Sequence, residues 1–185
     1  MKYKKAIMYV DGCAKGNPGP AGAGAVMTDE EGQVIFELCK YLGKRTNSEA
    51  EYESLILGLE KVVGDYEVDD LVVRSDSEFM VRQMNGEYQV RKPEMIALKA
   101  QVDSLVGQLK GFRIEHIPRE RNREADRLSN EAVMGKGAKK PGRYISPVDV
   151  DAFCTARCKE GKFSDERCTD RGCRLYVFMS KVLAL

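Results

Sequence analysis

The spacing of apolar residues changes along the chain, and that change limits the folds available to it. Up to about residue 45, apolar residues occur in short runs separated by glycine, proline and acidic turns, which is typical of β-strands. From residue 47 to 64 they recur every three or four residues, which predicts an amphipathic helix. The later segments alternate between these two patterns. The predicted strands cover residues 4–11, 21–28, 33–42, 70–75 and 112–117, and the predicted helices cover 47–64, 77–85, 94–109 and 121–133.

This order predicts an α/β domain with a mixed sheet. Three early strands joined by short loops pair antiparallel, because a tight connection reverses the direction of the chain. The two later strands each follow a helical crossover, which adds parallel strands with right-handed connections. We therefore predict a five-stranded sheet flanked by helices within residues 1–134. The rest of the chain predicts a basic linker rich in glycine and proline at 135–147 and a small cysteine-rich tail at 148–185.

The glycine-rich stretch after Asp11 argues against two common nucleotide-binding motifs. Residues 9–26 read YVDGCAKGNPGPAGAGAV, so a strand pattern follows the glycines. A P-loop or a dinucleotide-binding loop opens a helix directly after its glycines, and this stretch contains no Gly-Lys-Ser or Gly-Lys-Thr. Asp11, the carboxylate beside this loop, is therefore a better guide to function than the glycines.

Four carboxylates that are far apart in sequence fall where this topology brings segments together. Asp11 and Asp76 end the first and fourth predicted strands, which we expect to be parallel neighbours, and such sheets bind ligands at these strand ends. Glu51 lies in the first turn of the first helix, four residues before Leu55, so it faces the sheet. Asp126 lies in the first turns of the last helix. Oxygen-only, anionic ligation suits Mg²⁺ or Mn²⁺, and two such ions ~4 Å apart are a standard means of phosphodiester cleavage.

Each carboxylate also has a purely structural explanation. Asp11 beside a glycine is able to start a turn, and Asp76 is able to cap the next helix. Glu51 has the spacing to close a capping box with Ser48, and Asp126 is explained equally well as a surface charge. These explanations do not account for four carboxylates at one end of one sheet, so we favour a metal site.

Four blocks of the sequence resemble the catalytic blocks of the type 1 ribonuclease H family. They read YVDGCAKGNPGPAG, TNSEAEYESLILGLE, RSDSEF and PRERNREADRLSNEA, and they occur in the family's order within residues 4–134. The resemblance implies a ribonuclease H-like fold and an endonuclease that cuts the RNA strand of an RNA–DNA hybrid, leaving 5′-phosphate and 3′-hydroxyl ends. It also implies that two Mg²⁺ ions, or Mn²⁺ in their place, are bound by Asp11, Glu51, Asp76 and Asp126.

The same resemblance implies substrate contacts near the glycine-rich loop. Gly12, Asn17, Thr46 and Asn47 match positions at which the family contacts the minor groove and the 2′-hydroxyl groups of the hybrid. The 2′-hydroxyl group is what distinguishes RNA from DNA. A loop amide and a helix cap explain these residues as well, and Thr46 and Asn47 are able to serve both purposes.

The chain departs from the well-known bacterial members of the family between the second and third predicted helices. The segment GEYQVRKPE is short and lacks the basic protrusion with which those enzymes grip the hybrid. In this respect the chain resembles the compact, archaeal-like subgroup. Some members of that subgroup are thought also to cut double-stranded RNA, so this second substrate stays open.

The loop before Asp126 offers two candidates for assisting the departure of product. His116, the only histidine, has the family spacing to Asp126, yet it alternates with Phe112 and Ile114 along a predicted strand. We therefore interpret His116 as a structural residue at the strand end. Arg119 is the better candidate, and its role would be electrostatic because arginine stays protonated near neutral pH.

The tail carries four of the six cysteines. Cys154, Cys158, Cys168 and Cys173 have the spacing C-x3-C-x9-C-x4-C, and both close pairs are within the range of structural zinc sites. A segment this small needs a staple to fold. We predict one structural Zn²⁺ here, with two disulfides or four unconnected thiols as the alternatives.

Composition bears on location and partners. The 30 basic and 29 acidic residues give a net charge of +1, which neither indicates nor excludes nucleic acid. No stretch approaches the ~20 apolar residues of a membrane span, and the first residues lack a signal-peptide pattern. We expect a cytoplasmic monomer with no membrane partner.

A nucleic-acid-binding module that kept this fold without its reaction is the alternative to a nuclease, and the presence of all four carboxylates favours the nuclease.

Overall fold

The short apolar runs of the first 45 residues form three consecutive strands. In the computed structural model, which describes residues 1–135, these are β1 (Lys2–Ala14), β2 (Gly19–Thr28) and β3 (Val34–Arg45). β1 pairs antiparallel with β2, and β2 pairs antiparallel with β3. Gly32, in the turn before β3, has a φ of 83°, which glycine adopts without a steric penalty. The predicted antiparallel start of the domain is confirmed.

Two further strands lie on the other side of β1 and complete the sheet. β4 (Glu67–Ser75) is parallel to β1, β5 (Phe112–His116) is parallel to β4, and the strand order is β3-β2-β1-β4-β5. The predicted mixed sheet and the predicted order of elements are therefore confirmed. A single turn of 3₁₀ helix at Arg119–Arg121 was not predicted. The remaining elements are α1 (Asn47–Asp65), α2 (Glu78–Met84), α3 (Pro93–Val106) and α4 (Arg123–Met134).

β1 continues beyond Asp11, where the sequence pattern predicted its end. Its pairing with β2 continues from Asp11, opposite Gly24, to Ala14. Its parallel pairing with β4 stops earlier, at Tyr9 opposite Arg74. The prediction that Asp11 ends the strand is wrong, because the hairpin connection to β2 begins only after Ala14. Asp11 lies within the strand but beyond its last pair with β4.

α1 and α4 cover opposite faces of this sheet. A Cβ atom added to Gly24 would lie 2.4 Å from the carbonyl oxygen of Ala125 in α4, whereas the side chain of the next residue, Ala25, lies beside Gly58 in α1. Successive residues of a strand point to opposite faces, so the two helices lie on the two sides of β2. The main core is on the α1 side. It includes Met8 and Val10 of β1, Leu55 and Leu59 of α1, Leu71 and Val73 of β4 and Val102 of α3.

Two glycines let these helices approach the strands at backbone distance. An added Cβ at Gly24 would also lie 2.6 Å from the backbone nitrogen of Ser129, and one at Gly12 would lie 2.1 Å from the carbonyl carbon of Ala50 in α1. Real Cβ atoms do not approach other heavy atoms this closely. The glycines of the YVDGCAKGNPGPAGAGAV stretch therefore allow both helices to pack directly on backbone.

α4 ends at Met134, where the sequence predicted the end of the domain. The predicted linker, apart from Gly135, and the predicted cysteine-rich tail lie outside the described residues. The three-part division of the chain therefore stays a prediction. Within residues 1–135, no helix has the length and the apolar character needed to cross a membrane.

We predict that Gly24→Ala destabilises the protein by about 1–3 kcal/mol, because the new methyl group overlaps the backbone of α4. Gly64→Ala is the matched control, since an added Cβ at Gly64 in α1 has nothing within 4 Å. This control should leave stability unchanged or raise it by about 0.5–1 kcal/mol. Urea unfolding of both variants measures the difference. Equal midpoints for Gly24→Ala and the unmodified protein would contradict the close approach of α4.

Candidate active site

The packing of α1 against Gly12 positions Glu51. The backbone of Ala50 and Glu51 occupies the space that a side chain at residue 12 would need. Glu51 is buried, and its Oε2 accepts a hydrogen bond from the backbone N–H of Gly12 at 3.3 Å. Because α1 begins at Asn47, Glu51 lies in the second turn of the helix rather than in the predicted first turn. It faces β1 from that position.

Asp11 is held from the other face of the sheet by α4. It is only 5% exposed, and its Oδ2 accepts a hydrogen bond from the hydroxyl of Ser129. Ser129 reaches Asp11 because α4 lies against Gly24, which is paired with Asp11 across the β1–β2 ladder. The glycine in β2 therefore sets the distance between the α4 hydroxyl and the carboxylate.

Asp76 directly follows β4 and is tied to β1 through Asn122. Asn122 immediately precedes α4, and its Nδ2 donates to Asp76 Oδ1 at 2.6 Å and to the carbonyl oxygen of Val10 at 2.9 Å. The structural explanation for Asp76 as a helix cap is wrong, because the capping position of α2 belongs to Ser77. Asn122 thus joins β1, the end of β4 and the start of α4.

Asp126 lies in the first turn of α4 and carries an ion pair. Its Oδ1 accepts a hydrogen bond from a terminal nitrogen of Arg119 at 2.6 Å. The amide of Asn130, one helical turn later, donates to the Asp126 backbone carbonyl at 2.8 Å and lies 3.3 Å from its Oδ2. Arg119 opens the unpredicted 3₁₀ turn, which brings its guanidinium over α4.

The four carboxylates act on one another electrostatically. The pKa of Asp11 is raised to about 6, chiefly by burial and also by the negative charges of Asp76 and Asp126, against the lowering effect of the Ser129 hydrogen bond. Burial also raises the pKa of Glu51 well above its usual range, and the charges of Asp11 and Asp76 act in the same direction. Arg119 lowers both pKa values. The fold therefore gathers the four predicted residues into one acidic cluster.

The donor chemistry of this cluster fits a hard divalent cation, although the side-chain orientations do not form a ligand shell. No group of three His, Cys, Asp or Glu side chains within residues 1–135 is arranged to hold a metal ion as it stands. Asp126 is already paired with the positive charge of Arg119, whereas Asp11 and Asp76 accept hydrogen bonds from the uncharged donors Ser129 and Asn122. The oxygens are nevertheless all anionic, and burial with mutual repulsion is the condition that a bound cation relieves.

The residues predicted to contact substrate lie around the start of α1. Asn17 Oδ1 accepts a hydrogen bond from the backbone N–H of Asn47 at 3.1 Å, which ties the glycine-rich loop to the helix. Thr46 caps α1 and forms a capping box with Glu49. The structural explanation for Thr46 is therefore correct, while the capping box proposed for Glu51 is wrong.

A cleft of about 330 Å³ opens beside these residues. Asn17, Thr46 and Ser48 line it from the loop and the start of α1. Arg91 and Lys92, from the short segment between α2 and α3, line it as well. The segment that lacks a basic protrusion therefore still contributes two cationic side chains to this cleft.

Sequence reasoning missed three uncharged polar residues that contact the aspartates. Ser129 and Asn130 lie three and four residues after Asp126, on the same face of α4, and Asn122 lies at the capping position just before the helix. That spacing could have identified Ser129 and Asn130 as neighbours of Asp126. His116, in contrast, ends β5 opposite Ser75 with an exposed side chain.

Comparison with known proteins places this fold and cluster in a recognised class. A family model described as Reverse transcriptase-like matches residues 9–132. The protein "Bifunctional protein Rv2228c" of Mycobacterium tuberculosis is 39% identical over 149 residues, which are 80% of this chain and 40% of that protein. The chain thus spans less than half the length of this relative.

Two solved structures extend the similarity to the whole sheet. RNase H1 from the halophilic archaeon Halobacterium salinarum is 33% identical with a TM-score of 0.68, covering 70% of this chain and 98% of that one. LC11-RNase H1, solved in complex with an RNA/DNA hybrid, is 41% identical with a TM-score of 0.66, covering 71% of this chain and 98% of that one. The fold and these matches define a ribonuclease H-like protein. The chain belongs to the type 1 ribonuclease H family.

We predict that Asp11 makes metal-free stability fall as the pH rises from about 4 to about 6. In this window the folded protein keeps a proton on Asp11, whose pKa is about 6, whereas the unfolded chain has released it. The folded state therefore loses about 2–3 kcal/mol of relative stability across the window. Urea unfolding in EDTA at several pH values measures this loss.

Asp11→Asn is the informative comparison, because an amide keeps the shape and does not titrate. Its metal-free stability should fall less steeply over the same pH range, and the difference between the two curves isolates Asp11 from the other carboxylates. Parallel curves for the two proteins would show that Asp11 has no raised pKa.

Proposed function

We propose that this chain is a ribonuclease H that hydrolyses the RNA strand of RNA–DNA hybrids and leaves 5′-phosphate and 3′-hydroxyl ends. The observation that carries the proposal is the acidic cluster built from β1, α1, the end of β4 and α4. A module that only binds nucleic acid gains nothing from buried carboxylates that repel one another. The similarity to LC11-RNase H1, which was solved with an RNA/DNA hybrid, supports the choice of substrate.

Asp11, Glu51, Asp76 and Asp126 are the residues proposed to hold two divalent cations, Mg²⁺ first and Mn²⁺ as the alternative. When bound, such ions polarise the phosphate and lower the pKa of the attacking water. The protein contributes an anionic site that excludes bulk water from Asp11 and Glu51, both of which are buried. Arg119 pairs with Asp126 Oδ1 in the absence of metal, and its guanidinium would be available to a phosphate group where a cation holds that carboxylate.

The cleft beside Thr46 is proposed to hold the nucleic-acid backbone. Arg91 and Lys92 supply positive charge for phosphates, which attract cations without regard to sequence. Asn17 lines this cleft and is hydrogen-bonded to Asn47, and the backbone of Gly12 is hydrogen-bonded to Glu51. Asn17, Asn47 and Gly12 are proposed to contact the minor groove. Contacts to 2′-hydroxyl groups there would distinguish the RNA strand.

Several sequence predictions stay predictions. The zinc site at Cys154, Cys158, Cys168 and Cys173 lies outside the described residues. Double-stranded RNA as a second substrate, a monomeric state and a cytoplasmic location likewise rest on the sequence alone. Cleavage of RNA duplex is an outcome of the assay described next.

We predict that Asp76→Asn lowers Mg²⁺-dependent cleavage of a labelled RNA–DNA hybrid about a hundredfold or more, corresponding to about 3 kcal/mol of transition-state stabilisation. An amide of the same shape does not supply the charge that holds the cation. Asp70→Asn is the matched control, because Asp70 lies on β4, the strand that Asp76 follows, and pairs with Arg113 at the surface. It should retain activity.

The assay includes EDTA, DNA duplex and RNA duplex in parallel with the hybrid. Hybrid cleavage that persists in EDTA, or an Asp76→Asn variant as active as Asp70→Asn, would refute the proposed mechanism. Cleavage of RNA duplex at a comparable rate would widen the substrate class.

We predict that Arg119→Ala lowers kcat at saturating hybrid by about tenfold, because it removes the cation beside Asp126. His116→Ala should change kcat little and stability by less than about 0.5 kcal/mol, since the side chain is exposed at a strand end. Steady-state kinetics with thermal unfolding of both variants measures this. A large loss of kcat in His116→Ala with an unaffected Arg119→Ala would reverse the two roles.

A further inference from the structure

α4 and the residue just before it carry a hydrogen-bond donor for each aspartate of the cluster. Ser129 donates a hydrogen bond to Asp11, and Asn122 donates one to Asp76. The amide of Asn130 lies 3.3 Å from Asp126 Oδ2. All three donors are uncharged. Residues 122–130 therefore supply both one carboxylate, Asp126, and the donors to the other two aspartates.

The Ser129 hydroxyl donates its hydrogen bond to Asp11, because it is buried and has only one proton to donate. The side chain is fully buried, so water does not compete for the hydroxyl. The hydroxyl has one proton and two nearby acceptors, Asp11 Oδ2 and the Asp126 backbone carbonyl at 3.0 Å. A carboxylate is the stronger acceptor, so the proton belongs to Asp11. This hydrogen bond fixes the rotation of the Asp11 carboxylate about its side-chain axis.

The orientation of the Asn122 side-chain amide, which donates to Asp76, is also fixed by its surroundings. The side chain is 1% exposed, and both of its hydrogen bonds are donated through Nδ2. Its Oδ1 is buried without a hydrogen-bond partner among the described residues. A flipped amide would bring that oxygen against two acceptors, the Val10 carbonyl and Asp76, so the observed orientation is forced. The fold leaves a buried acceptor unpaired in order to keep the donor on Asp76.

We propose that Ser129 and Asn122 are positioning residues that restrict the rotation of the Asp11 and Asp76 carboxylates and thereby raise the affinity of the site for a divalent cation. This inference rests on the proposed function. A neutral donor orients a carboxylate without cancelling its charge, so the carboxylate keeps its attraction for the cation. Arg119 differs from both residues, because its positive charge competes with a cation for Asp126.

Ser129→Ala tests the inference, with Mn²⁺ alone as the probe. Titration of the metal-free full chain with Mn²⁺, followed by electron paramagnetic resonance of the free ion, gives the affinity. The variant should bind Mn²⁺ about tenfold more weakly, which is the usual effect of removing a group that orients a metal ligand. The Mg²⁺ concentration for half-maximal cleavage should rise similarly, with the KM for hybrid unchanged.

Ser54→Ala is the matched control for a buried helical serine. Ser54 in α1 is also fully buried, and its hydroxyl donates to the Glu51 backbone carbonyl at 2.7 Å rather than to a carboxylate. It should retain the Mn²⁺ affinity of the unmodified protein even if its melting temperature falls. Equal affinities for Ser129→Ala and Ser54→Ala would overturn the positioning role.

Asp11→Asn separates failure of this inference from failure of the proposed function. Loss of Mn²⁺ binding in Asp11→Asn, with normal binding in Ser129→Ala, overturns the inference alone. Unchanged Mn²⁺ binding in Asp11→Asn would show that Asp11 is not a metal ligand, which would contradict both the proposed function and this inference.

Asn122→Ala gives a second measurement that does not depend on activity. A positioning role predicts that saturating Mn²⁺ raises the melting temperature of this variant by less than it raises that of the unmodified protein. A purely structural role lowers the melting temperature equally with and without Mn²⁺. An equal Mn²⁺-induced rise in both proteins would overturn the role of Asn122.

Discussion

Backbone contact between two helices and two glycine positions is the constraint on which the site depends. α1 lies against Gly12 and α4 lies against Gly24, each at a distance that excludes a Cβ atom. The first contact brings Glu51 to the strand, and the second brings Ser129 to Asp11. A side chain at either glycine would move one helix outward, and the site residues on that helix would move away from the strands. The packing of the fold and the geometry of the carboxylates are therefore set by the same contacts.

The acidic cluster works against the stability of the fold that contains it. Asp11 and Glu51 are buried beside other negative charges, which raises both pKa values. The metal-free protein offsets this repulsion with hydrogen bonds to the aspartates and with the ion pair of Arg119 and Asp126. A divalent cation would provide a stronger offset, because it supplies the charge that these donors lack. The site is thus in a state that favours cation binding.

Periodicity predicted the elements of the domain well, because local patterns determine where strands and helices form. It misplaced the end of β1, since Gly12, Cys13 and Ala14 have weak strand preference and are held in the strand by pairing with β2. Asp11, Glu51, Asp76 and Asp126 were found through chain topology together with the family motifs. Their hydrogen-bond donors were not found, because those contacts depend on how closely α4 approaches the sheet, and no local pattern encodes that distance.

The order of elements gives α4 a particular place in assembling the site. Asp11, Glu51 and Asp76 come from the first 76 residues, whereas Asp126 and Ser129 come from the last described helix and Asn122 directly precedes it. Until α4 docks on β2, Asp11 lacks its hydrogen bond and Asp76 lacks its tie to β1. Three carboxylates without these partners would repel one another at a half-formed sheet end. Docking of α4 therefore completes the packing and the acidic site in one step, so the geometry for cation binding arises only in the folded domain.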